Sequence, residues 1–129
     1  MADHLSFVVP GEPTPKARAR VVRGRTYTPE RTRLAQEAVG WEARREYALS
    51  IAGGLWWQVD AANRYGLLVR AYCKSKRTLN SDEDNFLKLV QDALEGIVWA
   101  NDRQVFDGHC IKYPVTDNPR TEISIWRMV

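Results

Sequence analysis

The period of apolar and polar positions changes several times along the 129 residues, and each change marks an element. Leu5 to Val9 is a short apolar run closed by Pro10-Gly11, which predicts a first strand. Pro13-Thr14-Pro15-Lys16-Ala17-Arg18-Ala19-Arg20 is too rich in proline for a helix and reads as extended chain. Arg23-Gly24-Arg25 lies between Val21-Val22 and Thr26-Tyr27, so this stretch is expected to fold back as a β-ribbon with arginines at its tip. Thr28-Pro29-Glu30 supplies a capping hydroxyl, a proline at the first helical position and an acid in the first turn. Leu34, Ala38, Trp41 and Ala48 then recur at helical spacing until Gly53-Gly54 ends the element.

Leu67 to Cys73 reads as a central strand. Placing Asp84 to Gly96 on a wheel at about 100° per residue puts Phe86, Val90, Ala93, Leu94 and Ile97 on one face. Asp84, Lys88, Gln91, Asp92 and Glu95 fall on the other, so the predicted helix is amphipathic. Gln104 to Phe106 and Cys110 to Tyr113 fit a strand bulged at Asp107-Gly108. Asp117-Asn118-Pro119 turns it toward Thr121 to Met128, where Ile123 and Ile125 alternate with Glu122, Ser124 and Trp126. The order β-α-β-α-β-β predicts a single α+β domain over residues 1–129, a mixed β-sheet carrying two main helices.

Composition adds bounds. The chain is long enough for one core, and no apolar run approaches the roughly 20 residues of a membrane span. Its first residues lack a signal-peptide layout, and Cys73 and Cys110 are the only cysteines, which leads to the expectation of a reducing, cytoplasmic setting.

Charge is distributed unevenly. Residues 10–33 form a basic arm of net +5, and Arg70, Lys74, Lys76 and Arg77 form a second basic cluster. From 80 to 102 the acids Asp82, Glu83, Asp84, Asp92, Glu95 and Asp102 face the single base Lys88. An acidic segment between basic ones suggests a metal held against a polyanion.

Asp82 and Asp84 are two apart at a strand-to-helix junction, where extended backbone directs both side chains one way. Mg²⁺ favours a few carboxylates plus water, and Asp102 is placed to close such a site from the loop after the helix. Lys88, one turn beyond Asp84, would stabilise charge on phosphoryl oxygens. The same residues also fit a solvated helix face, with Ser81-x-x-Asp84 as a capping box and Asp84, Lys88 and Asp92 at ion-pairing steps. Spacing leaves both readings open.

The run Asp82-x-Asp84-Asn85-x-x-Lys88-x-x-x-Asp92-Ala93-Leu94-x-Gly96, followed by Asp102-x-Gln104-Val105, resembles the signature of the RusA family of Holliday junction resolvases. Gly11-x-Pro13-x-Pro15-Lys16-x-Arg18-x-Arg20 is similar to that family's basic entry motif. The resemblance implies a RusA-like fold and a homodimeric, Mg²⁺-dependent endonuclease, with Mn²⁺ as a substitute ion, acting on four-way DNA junctions in a bacterial or phage-infected cell. It places the family's essential aspartates, as metal ligands, on Asp82, Asp84 and Asp102, and its catalytic lysine on Lys88. Asn85 and Asp92 take supporting positions. Lys16, Arg18, Arg20, Arg23, Arg25, Lys74, Lys76 and Arg77 would contact DNA phosphates. Ser81 and Ala19 stand where the family commonly has proline, and Asn101 where it has an acid.

Other functions remain in view: a catalytically silent protein that binds branched DNA, or a nuclease of flaps and simple branches. A zinc site from Cys73, His109 and Cys110 lacks the paired C-x-x-C spacing. Trp41, Trp56, Trp57, Trp99 and Trp126 fit cores or interfaces better than base-stacking platforms.

Overall fold

The computed structural model describes residues 4–18, 20–52, 59 and 61–128. A four-stranded sheet is built from β1 (His4–Pro10), β4 (Arg64–Cys73), β5 (Val105–Pro114) and β6 (Arg120–Met128), in the order β1-β6-β4-β5. β6 pairs antiparallel with both neighbours, whereas β4 and β5 run parallel, so the sheet is mixed. The arm folds back as a separate hairpin of β2 (Arg20–Val22) and β3 (Arg25–Tyr27). Arg23 and Gly24 hold φ of 52° and 75°, a turn with two left-handed positions that glycine eases. The expected ribbon with arginines at its tip is therefore present.

Alternation decides which face of the sheet is covered. Tyr65, Leu67, Val69, Ala71 and Cys73 of β4 are buried on one side, beside Leu5 and Phe7 of β1 and Ile123 and Ile125 of β6. That side carries α1 (Glu30–Ala52) and α3 (Glu83–Ala93), with the short α2 (Lys76–Leu79) between β4 and α3. On the opposite side Tyr72 stacks on Tyr113 at 4.8 Å, with the Arg120 guanidinium 3.9 Å above the Tyr72 ring. The α+β class, the mixed sheet and the two main helices agree with the sequence reading. Two details differ: α2 had no apolar period to reveal it, and the bulge falls at Phe106, because Tyr65 pairs with Val105 and Gly66 with Asp107.

α3 buries Phe86, Leu89, Val90 and, at its C-cap, Leu94. Beyond it the chain wraps around Trp99, which is fully buried; its Nε1 donates to the Gln91 carbonyl at 3.0 Å, and its ring lies 5.6 Å from Tyr65. Gly96 takes φ of 81° and donates its N–H to the Trp99 carbonyl, so the glycine of the Ala93-Leu94-x-Gly96 run is a helix terminator.

α1 starts where Thr28-Pro29-Glu30 predicts, and the side it buries is not the one that carries its large apolar residues. Thr32, Val39, Gly40 and Ala43 are its buried positions, whereas Leu34, Ala38, Trp41 and Ala48 face solvent, with Trp41 69% exposed. The reason is physical: where α1 sits close to the end of α3, its inner side has Gly40 and Ala43. A Cβ on Gly40 would lie 3.2 Å from Ile97. Trp56, Trp57, Ala19 and the Gly53-Gly54 stop lie outside the described residues, as does the side chain of Arg20.

The Trp126 indole lies over Gly66, and a Cβ at that glycine would overlap its ring. Gly66→Ala is expected to destabilise the protein by about 1–3 kcal/mol in urea unfolding. Adding Trp126→Ala should recover part of that loss; full additivity of the two changes would contradict the overlap.

Candidate active site

The junction before α3 is positioned by several independent anchors. Ser75 caps α2, accepting from the Thr78 N–H, and Ser81 Oγ donates to the Arg77 carbonyl. From β5, Lys112 Nζ donates to the carbonyls of Leu79 and Ser81 at 2.9 and 2.7 Å. A cation at the C-terminal end of a helix satisfies carbonyls that lack a helical partner. Asp82 then becomes the N-cap of α3 with its carboxylate making no capping hydrogen bond, and Asp84 follows in the first turn. Both are exposed, as is Lys88 one turn on. The capping box read from Ser81-x-x-Asp84 is thus not formed, because the N-cap is Asp82 and the Ser81 hydroxyl is turned to Arg77.

The basic arm is laid against this junction. Glu12 accepts from the N–H groups of Lys74 and Ser75, Gly11 donates to the Pro119 carbonyl, and Ala17 donates to the buried Thr32 hydroxyl. Lys16 donates its backbone N–H to the Asn85 carbonyl, and its Nζ pairs with Asp92 Oδ2 at 2.5 Å. Between arm and junction lies a cleft of about 380 Å³ whose walls include Lys16, Arg31, Arg77, Asn80, Asp82 and Asn85. Three cations and two amides beside one carboxylate make a seat for an anionic chain that passes Asp82. Arg18, Arg23, Arg25, Lys74, Lys76 and Arg77 are exposed around it and on the hairpin.

Asp102 opens a single 3-10 turn, Asp102–Gln104, at the other end of α3. Gln104 is buried; its Oε1 accepts from the N–H groups of Ala100 and Asn101, and its Nε2 donates to the Asn63 carbonyl. Asn101 caps the turn, accepting from the Arg103 N–H at 2.9 Å. Glu95 accepts from the Asp102 N–H at 3.1 Å. The Asp102-x-Gln104 motif therefore joins an exposed carboxylate to a buried amide that fixes its loop.

Among the described residues, the group of three side chains able to share an ion is Asp92, Glu95 and Asp102, whose carboxylate oxygens lie within 4.8 Å of one another. An all-oxygen donor set suits a hard divalent cation, and closing such a spacing to octahedral contacts asks for side-chain rotations of exposed Glu95 and Asp102. Asp82 and Asp84 do not join that group. Eight residues of helix separate Asp84 from Asp92, about 12 Å along the axis. The acids thus occupy two ends of one helix edge, with Lys88 between them and Lys16 reaching in from the arm. Sequence reasoning placed Asp92 and Glu95 in supporting positions and did not foresee that they lie beside Asp102; it also missed Lys112, Glu12 and the pairing of Lys16 with Asp92.

A family model described as Endodeoxyribonuclease RusA matches residues 10–126, which takes in the arm, the junction, both acidic ends and all of β4 to β5. The chain belongs to the RusA endodeoxyribonuclease family. A search of curated proteins returned no match. RusA membership makes the chain a nuclease. No helix among the described residues of this RusA protein is long and apolar enough to cross a membrane.

Cys73, His109 and Cys110 form no metal-holding group among the described residues. His109 Nε2 instead lies 2.7 Å from Asp107. Burial raises the Cys73 thiol above its usual range and pushes that of Cys110 up to about 12, so both stay protonated at neutral and mildly alkaline pH. Alkylation by iodoacetamide at pH 8 is expected to be far slower in the native protein than in urea. Equal rates would contradict this placement.

Proposed function

We propose that the protein is a metal-dependent endonuclease that resolves four-way DNA junctions by paired phosphodiester hydrolysis, serving recombination and repair in the cytoplasm of a bacterium or a phage-infected host. The observation that carries the reading is the cation-lined cleft that opens beside Asp82 at the head of the acidic edge of α3. The arm and the α2 cluster supply affinity through phosphate contacts, which follow the shape of the backbone without reading bases. Asp82 and Asp84 at the head of the edge, and Asp102 at its far end, are the proposed metal-holding and catalytic carboxylates. Mg²⁺, or Mn²⁺ in its place, supplies Lewis-acid polarisation of the phosphate and lowers the pKa of water. Lys88 presents its ammonium to the phosphoryl oxygens as charge grows on them. Asn85, whose carbonyl holds the arm through Lys16, keeps the cleft in register with Asp84.

The clustering of Asp92, Glu95 and Asp102 favours a second arrangement, in which the ion is seated at the C-terminal end of the edge and Asp82 and Asp84 orient the substrate. In that arrangement Lys16 competes with the ion for Asp92. A junction needs cuts on two opposed strands and one chain offers one acidic edge, so the active form is a homodimer about a two-fold axis.

Asp84→Asn is expected to lower the cleavage rate of a labelled four-way junction by roughly 10²-fold or more, with binding retained. EDTA should abolish cutting, and Mg²⁺ should restore it. Binding without metal-dependent cleavage by the wild type would instead support a silent binder of branched DNA. Equal cutting of a matched linear duplex would remove junction selectivity and favour a general branch or flap nuclease. Glu95→Gln separates the two metal arrangements: an unchanged Mg²⁺ requirement supports Asp82, Asp84 and Asp102, and a raised one supports the C-terminal seat.

A further inference from the structure

The outward stripe of α1 has the spacing of a helix-pairing seam. Leu34, Ala38, Trp41, Arg45 and Ala48 follow one another at alternating steps of four and three, the repeat that keeps one line of side chains against a partner helix. Ala38 and Ala48 are exposed beside Leu34 at 51% and Trp41 at 69%, with Leu49 at 59% on the flank. The small Ala38 and Ala48 lie beside the large Leu34, Trp41 and Arg45, so the line offers both knobs and holes.

We infer that this seam is where a second copy of the chain docks, α1 against α1 in antiparallel fashion about a two-fold axis at Trp41. The inference rests on the dimeric reading above and assigns its surface. The argument for an identical partner is charge and size complementarity under that symmetry. Antiparallel pairing centred on residue 41 sets Leu34 against Ala48 of the partner subunit, a large residue against a small one. At about 100° per residue, Glu37 and Arg44 lie on the same flank of the seam, about 40° and 60° from Trp41. The two-fold brings Glu37 level with Arg44 of the partner subunit, and the reverse, which gives two reciprocal opposite-charge pairs. Glu37 is already held toward this flank by Arg33 at 2.8 Å.

The same geometry bears on the acidic edge. A groove of about 670 Å³ runs between α1 and α3, with Arg33, Glu37, Trp41 and Arg44 on one wall and Asp92 and Glu95 on the other. α3 therefore flanks the seam on its Glu37–Arg44 side. A two-fold perpendicular to antiparallel helices maps each flank onto itself, so both acidic edges face the same side of the dimer. Two cutting centres presented on one side meet the geometric need of a single branched substrate.

The test is sedimentation of the full-length protein at low micromolar concentration, with circular dichroism as a folding control. Wild type should be a dimer, and Trp41→Glu should raise the dimer Kd by roughly 30-fold or more. Glu37→Arg alone and Arg44→Glu alone should each weaken the dimer, and the two together should restore it. These charge changes are on exposed positions and remain informative where Trp41→Glu fails to fold. A monomeric wild type, a Trp41→Glu dimer of unchanged affinity, or a double reversal no better than its parents would each overturn the inference. Junction cleavage by the wild type, measured alongside, separates the two claims. Cutting by a protein whose dimer ignores α1 changes sinks the seam and leaves the nuclease reading standing. A dimer that obeys them without Mg²⁺-dependent cutting does the reverse.

Discussion

The rest of the structure depends on the burial of one face of α3 against the inner side of the sheet, over β4 and β5, and against α1. Phe86, Leu89, Val90 and Leu94 take that side, and the buried row of β4 from Tyr65 to Cys73 receives it. Each fully buried side chain of this size contributes about 1.5–3 kcal/mol relative to exposure, so the orientation of the helix is strongly specified. Rotation of α3 by even a quarter turn would bring Asp84 or Asp92 toward a dry interior at a prohibitive cost. The polar edge therefore points outward because the apolar one has no alternative.

From that constraint the remaining contacts read as alignment. Lys112 fixes where the helix starts, Gly96 and Trp99 fix where it ends, and Gln104 fixes the return to β5. The basic arm has little apolar surface of its own and is held by hydrogen bonds to the carbonyl of Asn85 and the hydroxyl of Thr32, and by the Lys16 ion pair with Asp92. Family motifs that look like separate strings in the sequence turn out to be neighbours: entry arm, junction and acidic edge share one surface.

Strands were legible where burial is one-sided, as in the alternation of Ile123 and Ile125 with polar residues, and α3 was legible because its two faces differ sharply. The start of α1 at Glu30 was legible from Thr28-Pro29-Glu30, but its buried side was not, since close packing against α3 selects Gly40 and Ala43 over large residues and leaves Leu34 and Trp41 outside. The candidate site was legible as a set of residue types but not as a place. Asp82, Asp84 and Asp102 carry the family's pattern, yet the distance between them depends on the helix length and on a loop whose path is set by the buried Gln104 side chain. The Lys16–Asp92 pair joins positions 76 residues apart and had no local signal.

β4 and β5 run parallel, so the chain between them must travel the full length of the sheet before it can re-enter it. Residues 74–104 are that return path, and they also hold all the acids of the edge and Lys88. The sheet thus acts as a ruler for the nuclease: strand length sets the span of the crossover, and the crossover sets the separation of its two acidic ends. An added residue within it would shift the carboxylates relative to one another. The turn at Asp117-Asn118-Pro119 joins antiparallel strands and is free to lengthen at small entropic cost. Tolerance to insertion is therefore expected to be unequal along the chain, high at the β5–β6 turn and low throughout the crossover, because the proposed catalytic carboxylates sit on the segment whose length the architecture dictates.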